Sequence, residues 1–193
     1  MKHDPERHDR RSIRLPEYDY AQAGAYFITI CTNNRECLFG EMTDGAVLLS
    51  EFGEIAVDEW VRTPNVRENV GLDAFVVMPN HLHGVVIITH ENGKALPMGR
   101  GEPPGRPYRP NGARGPAPGS VEAIVGQFKA AVTKRINVLR GTPGAAVWQR
   151  NYYEHVVRDE DELNQIRQYI AGNPAGWDTD ENNPTGGPVV GVT

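Results

Sequence analysis

Two histidines separated by one residue, His81 and His83, are the side chains best suited to chemistry in this chain. The residues around them, from Phe75 to Ile88, are mostly apolar or β-branched, which is typical of buried strand. Because side chains alternate between the faces of a strand, both imidazoles point the same way and Leu82 points the other way. Two imidazoles on one rigid face can hold a divalent metal. The alternative is a hydrogen-bonded histidine pair at a sheet edge, since neutral imidazoles tolerate burial.

A tyrosine and an asparagine one helical turn apart form a second candidate pair. Apolar residues recur at helical spacing from residue 160 to 172, and Tyr169 and Asn173 lie at the edge of that stripe. Side chains four residues apart on a helix are neighbours, so the phenol and the amide could reach one shared site. The alternative is structural, with Tyr169 extending the core and Asn173 ending the helix before Pro174.

The segments that position these side chains predict a single α+β domain. Strands are expected at residues 25–32, 72–78, 81–89 and 147–157, and helices at 50–62, 120–139 and 160–172. Only Pro79 and Asn80 separate the second strand from the third, which leaves a tight hairpin or one bent strand open. The order β-α-β-β-α-β-α suits a ferredoxin-like antiparallel sheet with helices on one face.

The remaining segments predict little fixed structure. Residues 1–23 form a polar arm, residues 24–177 the domain itself, and residues 178–193 a polar tail that we expect to be disordered. Within the domain, residues 91–119 are mostly Gly, Pro and Arg with no apolar period, which is typical of a flexible insert.

Composition excludes several classes of protein. The chain has 193 residues, enough to bury a core without staples, and its two cysteines, Cys31 and Cys37, form no CxxC pair. We therefore expect neither a structural zinc site nor a disulfide framework. No run of about 18 apolar residues and no signal peptide is evident, so the expected location is cytoplasmic, away from membranes.

The charge is unevenly distributed along the chain. The net charge is −5, but residues 94–150 carry ten basic and two acidic residues, a balance of +8 against −13 elsewhere. Such segregation can give an acidic protein one face that attracts anions such as nucleic acid. The alternative is that the arginines before Ser120 only solubilise a flexible loop.

Eight stretches of the sequence carry a family resemblance: 11–15, 18–20, 24–32, 35–40, 76–84, 128–134, 147–155 and 169–174. They include the His-hydrophobe-His and Tyr-x-x-x-Asn-Pro motifs, which are specific together in this order. Through them the chain resembles the IS200-like single-tyrosine transposases of the HUH type, in the branch of REP-associated tyrosine transposases. The resemblance extends from the N-terminal arm to about Trp177 and leaves out the insert and the tail.

The resemblance implies an enzyme that cleaves and rejoins single-stranded or hairpin DNA through a 5′-phosphotyrosine intermediate. It implies Tyr169 as the nucleophile, His81 and His83 as metal ligands, Asn173 as the third ligand, and Mg²⁺ or Mn²⁺ as the ion. A catalytically silent hairpin-binding protein derived from a transposase stays open, as does a small metal-dependent hydrolase in which Tyr169 is structural. A homodimer and a monomer both stay open.

The candidate DNA-binding residues are cationic: Lys129, Lys134, Arg135, Arg150, Arg11 and Arg14. The first three lie off the apolar stripe of the second helix, so we expect them to face solvent beside the groove that leads to the histidines. Tyr152 and Tyr153 are competing nucleophiles, but their strand pattern favours packing or base stacking.

Overall fold

A computed structural model of the protein describes residues 18–89 and 115–184. The strands are β1 (Gly24–Cys31), β2 (Gly40–Thr43), β3 (Ala46–Leu49), β4 (Val70–Met78), β5 (His81–Ile88) and β6 (Tyr153–Val157). The helices are α1 (Glu51–Val61), α2 (Val121–Leu139) and α3 (Glu160–Gly172), with short 3-10 helices at Asn33–Arg35, Thr63–Val66 and Pro174–Thr179. None of the helices in the two described ranges is long and apolar enough to span a bilayer.

Four strands form one antiparallel sheet in the order β4-β5-β1-β6. Helix α1 connects β1 to β4 and α2 connects β5 to β6, so each crossover skips one strand, as in ferredoxin-like folds. Both helices begin at a serine whose hydroxyl accepts a backbone N–H: Ser50 from Gly53 at 3.2 Å and Ser120 from Ala123 at 3.3 Å. The predicted α+β class and antiparallel sheet are confirmed.

Helices cover both faces of this sheet, so the prediction of helices on one face is wrong for α3. The face that carries Tyr26 and Leu82 packs against α1 and α2 in the main core. The opposite face carries Ala25 and Val85 and packs against Leu163 and Ile170 of α3. The physical reason is that β1 and β5 are apolar at odd and even positions alike, so each face must be covered.

The turn between β4 and β5 is a tight hairpin, which decides between the two alternatives for Pro79 and Asn80. Met78 pairs directly with His81, and a register shift between Leu72 and Phe75 bends β4 further back. In β1, Thr29 lies opposite His83. This register turns both histidines toward α3.

Three local features differ from the sequence prediction. The β2–β3 hairpin is not among the predicted strands, and its turn holds Asp44 and Gly45 at φ of 51° and 76°. Strand β6 is shorter than the predicted 147–157, because residues 147–149 pair only briefly with residues 31–33. Residues 178–184 of the expected disordered tail are placed, with Asn182 and Asn183 buried. The predictions for residues 1–17, 90–114 and 185–193 lie outside the described residues.

Helix α1 packs closely against β5 at Gly84, so we expect a Gly84→Ala substitution to destabilise the fold. An added Cβ would lie 2.5 Å from the ring of Trp60, which is fully buried and has no room to shift. We expect the free energy of unfolding to fall by about 1–3 kcal/mol, measured by urea denaturation.

Gly126 is the matched control, because it lies on the exposed side of helix α2 with nothing within 4 Å of an added Cβ. Gly126→Ala should leave stability unchanged or raise it by about 0.5–1 kcal/mol, since alanine is the better helix former. Equal losses in the two variants would contradict the packing described for Gly84.

Candidate active site

The two histidines of β5 are held so that one nitrogen of each ring faces the other. The Nε2 atoms of His81 and His83 lie 3.0 Å apart, and both residues are buried. The remaining Nδ1 atoms are hydrogen-bonded behind the site, His81 to Asn80 Oδ1 at 2.8 Å and His83 to Thr29 Oγ1 at 2.8 Å. Such outer contacts orient imidazoles for metal binding.

The amide of Asn80 decides the tautomer of His81. Its Nδ2 donates to the carbonyls of Arg35 at 3.0 Å and Asn182 at 2.7 Å, which turns its Oδ1 toward the ring. Since that oxygen only accepts, Nδ1 of His81 carries the proton and Nε2 keeps its lone pair. The hydroxyl of Thr29 can donate or accept, so His83 can take either tautomer.

Helix α3 brings Tyr169 to the histidines within one chain. The Tyr169 hydroxyl lies 3.2 Å from His83 Nε2. Its ring packs edge-on against Phe27 at 6.0 Å and against the His83 ring at 5.1 Å, while 49% of the residue stays exposed. The phenol is therefore fixed in direction but open to solvent.

Asn173 ends α3 at the same site, with its amide directed inward. It is buried, its Nδ2 donates to Asp180 Oδ2 at 3.3 Å, and its Oδ1 has no hydrogen-bond partner among the described residues. A buried amide oxygen without a donor is costly, and a cation beside it would remove that cost.

Asp180 is the site residue that the sequence analysis missed. Its Oδ2 lies 4.0 Å from His81 Nε2, and one ligand atom each from His81, His83 and Asp180 fall within 4.8 Å of one another. The 3-10 helix after α3 carries it there, anchored by Trp177, which is buried and stacks on the His81 ring at 6.0 Å. Trp177, the last residue of the predicted domain, indicates that the chain is buried up to that point, but not that Asp180 follows it into the site.

The protonation preferences of the site follow from its burial. Desolvation lowers the pKa of His81 to about 4 and of His83 to about 3, with the Asp180 carboxylate acting in the opposite direction. Both rings are thus neutral at pH 7. Burial, followed by the charges of Asp180 and Glu181, raises the pKa of the Tyr169 phenol.

The donor atoms fit a divalent cation. Adjacent ligands of an octahedral ion with bonds of about 2.1 Å lie about 3.0 Å apart, and the two Nε2 atoms have that separation. Asp180 adds a carboxylate, and the amide oxygen of Asn173 lacks any other partner among the described residues. Two nitrogens and two oxygens leave coordination positions for a ligand of the ion.

A cleft of about 490 Å³ opens onto His83 and Tyr169. Its other lining residues mix rings, amides and one carboxylate: Phe27, Thr29, Cys31, Gln149, Asn151, Tyr152, Tyr153, Glu181 and Asn182. A second cleft of about 480 Å³ is also lined by Tyr169, together with Asn173 and Asp180. Tyr169 therefore stands at the border of two clefts.

Comparison with known proteins identifies a relative by sequence and a shared fold by structure. No family model matches the chain. An uncharacterized protein of Haemophilus influenzae (strain ATCC 51907 / DSM 11121 / KW20 / Rd) is 40% identical over 178 residues, which span 90% of this chain and 93% of that protein. The chain belongs to the same family as this Haemophilus protein.

The chain shares the fold of a transposase of known structure. The structure of a REP-associated tyrosine transposase bound to a REP hairpin aligns with a TM-score of 0.51 at 17% identity, over 86% of this chain and 73% of that one. The predicted resemblance is confirmed at the level of the fold. A crystal structure from Deinococcus radiodurans R1 aligns with a TM-score of 0.43 at 18% identity, over 83% of this chain and 96% of that one.

The predicted DNA-binding cations are not all free to meet a ligand. Lys129 is half-buried and donates to the carbonyls of Gln149 at 2.6 Å and Arg150 at 3.1 Å. Arg135 pairs with Asp58 at 3.1 Å and Glu59 at 2.8 Å. The prediction that both face solvent holds only in part, since both are only partly exposed. A helical period separates polar from apolar sides but does not reveal partners on neighbouring segments.

The other cations divide into exposed and undescribed residues. Lys134 and Arg150 are exposed, whereas Arg11 and Arg14 lie outside the described residues. Helix α2 packs on the sheet face opposite the histidines, so none of its residues lines the cleft at His83 and Tyr169. Tyr152 donates to Glu154 Oε2 at 2.8 Å, and Tyr153 is 43% exposed in the cleft, 6.1 Å from the ring of Phe27.

Burial of neutral histidines predicts a loss of stability in acid. Below pH 6.5, the ordinary pKa of histidine, both imidazoles bind protons in the unfolded chain but stay neutral in the folded state down to lower pH. With metal chelated, we expect the free energy of unfolding to fall as pH drops from 7 toward 4, by about 2 kcal/mol per histidine at pH 5. Urea denaturation at several pH values measures this fall.

A His83→Gln variant should show a shallower dependence on pH, whatever its stability at pH 7. A slope unchanged by that substitution would contradict the assignment of a buried neutral ring to His83.

Proposed function

We propose that the chain is a metal-dependent enzyme that cleaves and rejoins single-stranded or hairpin DNA with Tyr169 as its nucleophile. One observation carries the proposal: the Tyr169 hydroxyl lies 3.2 Å from His83 Nε2, which itself lies 3.0 Å from His81 Nε2. A tyrosine that only filled the core would not leave half of its surface exposed in a cleft beside two inward-facing imidazoles.

The chemistry that this arrangement supports keeps the energy of the phosphodiester. The Tyr169 oxygen attacks the phosphorus of a DNA strand, forms a Tyr–O–P bond and breaks the bond to the 3′ oxygen of the preceding nucleotide. The products are a free 3′-hydroxyl and a 5′-phosphotyrosine. Attack by another 3′-hydroxyl reverses the step and joins two strands without an external energy source.

His81, His83 and Asp180 would hold the ion, with Asn173 as a further ligand, and Mg²⁺ or Mn²⁺ suits this set of nitrogen and oxygen donors. A bound ion would neutralise charge on the scissile phosphate and lower the pKa of the phenol, against the upward shift from burial. Asn80 and Thr29 keep both imidazoles aimed at one point.

The cleft favours an unpaired strand as substrate. It contains the exposed ring of Tyr153 beside Phe27, on which a base can stack, and amide side chains at Gln149 and Asn151. The shared fold with a transposase bound to a REP hairpin supports DNA as the ligand class. A silent hairpin-binding protein would bind such DNA without forming an adduct, and a metal-dependent hydrolase would cleave without needing Tyr169.

The first test of this function is the Tyr169→Phe variant. The phenol oxygen makes the covalent bond while the ring fills the same space, so we expect at least a 1000-fold loss of protein–DNA adduct, on the order of a lost covalent nucleophile. Binding of the same oligonucleotide should change little. Wild type and variant are incubated with a labelled hairpin DNA and Mn²⁺, and adducts are resolved on a denaturing gel.

Tyr153→Phe is the matched control, since it removes a hydroxyl from the same cleft. It should form adduct at close to the wild-type level. Adduct formation that survives in Tyr169→Phe but disappears in Tyr153→Phe would transfer the nucleophile to Tyr153. DNA binding by the wild type without any adduct would favour the silent hairpin-binding protein.

The second test addresses the metal site through its carboxylate. Asp180→Asn removes the charge beside His81, and we expect Mn²⁺ affinity to drop by about 10–100-fold in isothermal titration calorimetry. Asp178→Asn makes the same change two residues earlier on an exposed side chain and should bind Mn²⁺ like the wild type. Equal affinities in the two variants would remove Asp180 from the ligand set.

A further inference from the structure

A third depression, which we call the α2 groove, lies between α2 and residues 143–150 and has a volume of about 760 Å³. Its floor and walls include Val138, Pro143 and Trp148, and its rim carries Lys134 and Arg150. Neither the metal ligands nor Tyr169 line it. The groove is therefore a separate surface from the candidate active site.

The far wall of the α2 groove is held in place by side chains of α2. Lys129 binds the carbonyls of Gln149 and Arg150, and Asn137 donates to the Ala145 carbonyl at 2.9 Å. The indole of Trp148 donates back to the Lys129 carbonyl at 3.2 Å. These contacts preform the groove, so a ligand would not have to order this loop.

The charge of the α2 groove has one sign. Lys129, Lys134 and Arg150 line it, and no Asp or Glu does among the described residues. Lys134 and Arg150 are exposed and make no ion pair within the described part of the chain. On the far side of Lys134 the surface carries both signs of charge, with Glu51, Glu54, Asp58 and Glu59 beside Arg62 and Arg135, so the stretch of purely positive charge ends at Lys134.

Gln149 connects the α2 groove to the candidate active site. This residue belongs to the lining of the groove and also to the lining of the cleft that holds His83 and Tyr169. The next residues in sequence, Asn151 to Tyr153, continue along the cleft. A strand whose phosphate reaches Tyr169 can thus continue past Gln149 without leaving the surface of the protein.

We propose that the α2 groove binds the single-stranded DNA that flanks the cleavage point. Phosphates face Lys134 and Arg150, and sugars and bases contact the apolar floor at Val138 and Pro143. The inference rests on the proposed function for the choice of DNA, and it assigns to this groove the stretch of strand that lies beyond the reacting phosphate.

The test compares three fluorescent probes that share one hairpin of seven base pairs. One ends at the hairpin foot, one carries eight unpaired thymidines beyond it, and one carries an eight-base-pair duplex extension. Affinities are measured by anisotropy with the full-length chain carrying Tyr169→Phe, in EDTA, so that neither cleavage nor metal contributes. The test variant adds Lys134→Gln and Arg150→Gln, and the control adds Arg62→Gln and Arg158→Gln, two exposed cations outside the groove.

We expect the unpaired extension to tighten binding of the parent protein and the test variant to lose that gain, by about tenfold in 0.15 M KCl. The slope of log affinity against log salt should flatten by about 1.4, for two phosphate contacts. The control should keep both the gain and the slope. Binding of the foot-ended hairpin should be equal in the test and control variants.

Three outcomes would overturn the inference: no gain from unpaired thymidines, a gain that the test variant keeps, or an equal loss in the control. If the duplex extension tightens binding as much as the unpaired one, and the test variant removes that gain as well, the groove would be assigned to duplex DNA instead. Failure of the proposed function shows separately, as absence of the Tyr169 adduct in wild-type protein with Mn²⁺, because these binding measurements need no cleavage.

Discussion

The amide of Asn80 is the contact on which the candidate site depends most. It stands in the two-residue turn between β4 and β5, where its nitrogen binds two carbonyls and its oxygen binds His81. The backbone carbonyls of the same turn also accept hydrogen bonds: Asn80 from the Thr32 N–H at 2.8 Å and Pro79 from the Phe39 N–H at 2.9 Å. One turn therefore sets the sheet register, the tautomer of a histidine and the position of the segment after α3. An alanine in its place would remove all three of these side-chain hydrogen bonds, two of which, to Asn182 and His81, are buried.

The second constraint is the apolar character of both faces of the sheet. Two crossover helices cover one face, and α3 covers part of the other. Arg167 of α3 donates two hydrogen bonds of 2.8 Å to Asp73 and so links this helix to β4. The part of that face left beyond α3 holds the histidines. Burial there makes both imidazoles neutral and thus able to bind a metal, while it disfavours the phenolate of Tyr169. The same desolvation prepares the ligands and creates the need for a positive charge.

The local parts of this arrangement could be predicted from the sequence, because they depend on periods of two and of 3.6 residues. Strand alternation gives the shared face of His81 and His83, and helical spacing gives the shared edge of Tyr169 and Asn173. Asp180 could not be found in that way, since a polar segment without a period carries no signal of where it folds. The partners of Lys129 and Arg135 were equally hidden, because they lie on segments distant in sequence. The face chosen by α3 follows from the whole sheet and not from the helix itself.

Distance along the chain has a kinetic consequence for the site. Asn80 and Asn182, whose hydrogen bond is part of the site, are 102 residues apart in sequence, and Cys31 contacts Asn182 across 151 residues. Contacts between such distant residues form only after long loops have closed, which is slow compared with helix or hairpin formation. The donors contributed by β5 and by the segment after α3 can meet only when the sheet and the last helix are in place. A metal at the proposed site would thus bind only after the chain has folded, and its binding would indicate that folding is complete. Small domains whose folding is nucleated by the ion behave in the opposite way.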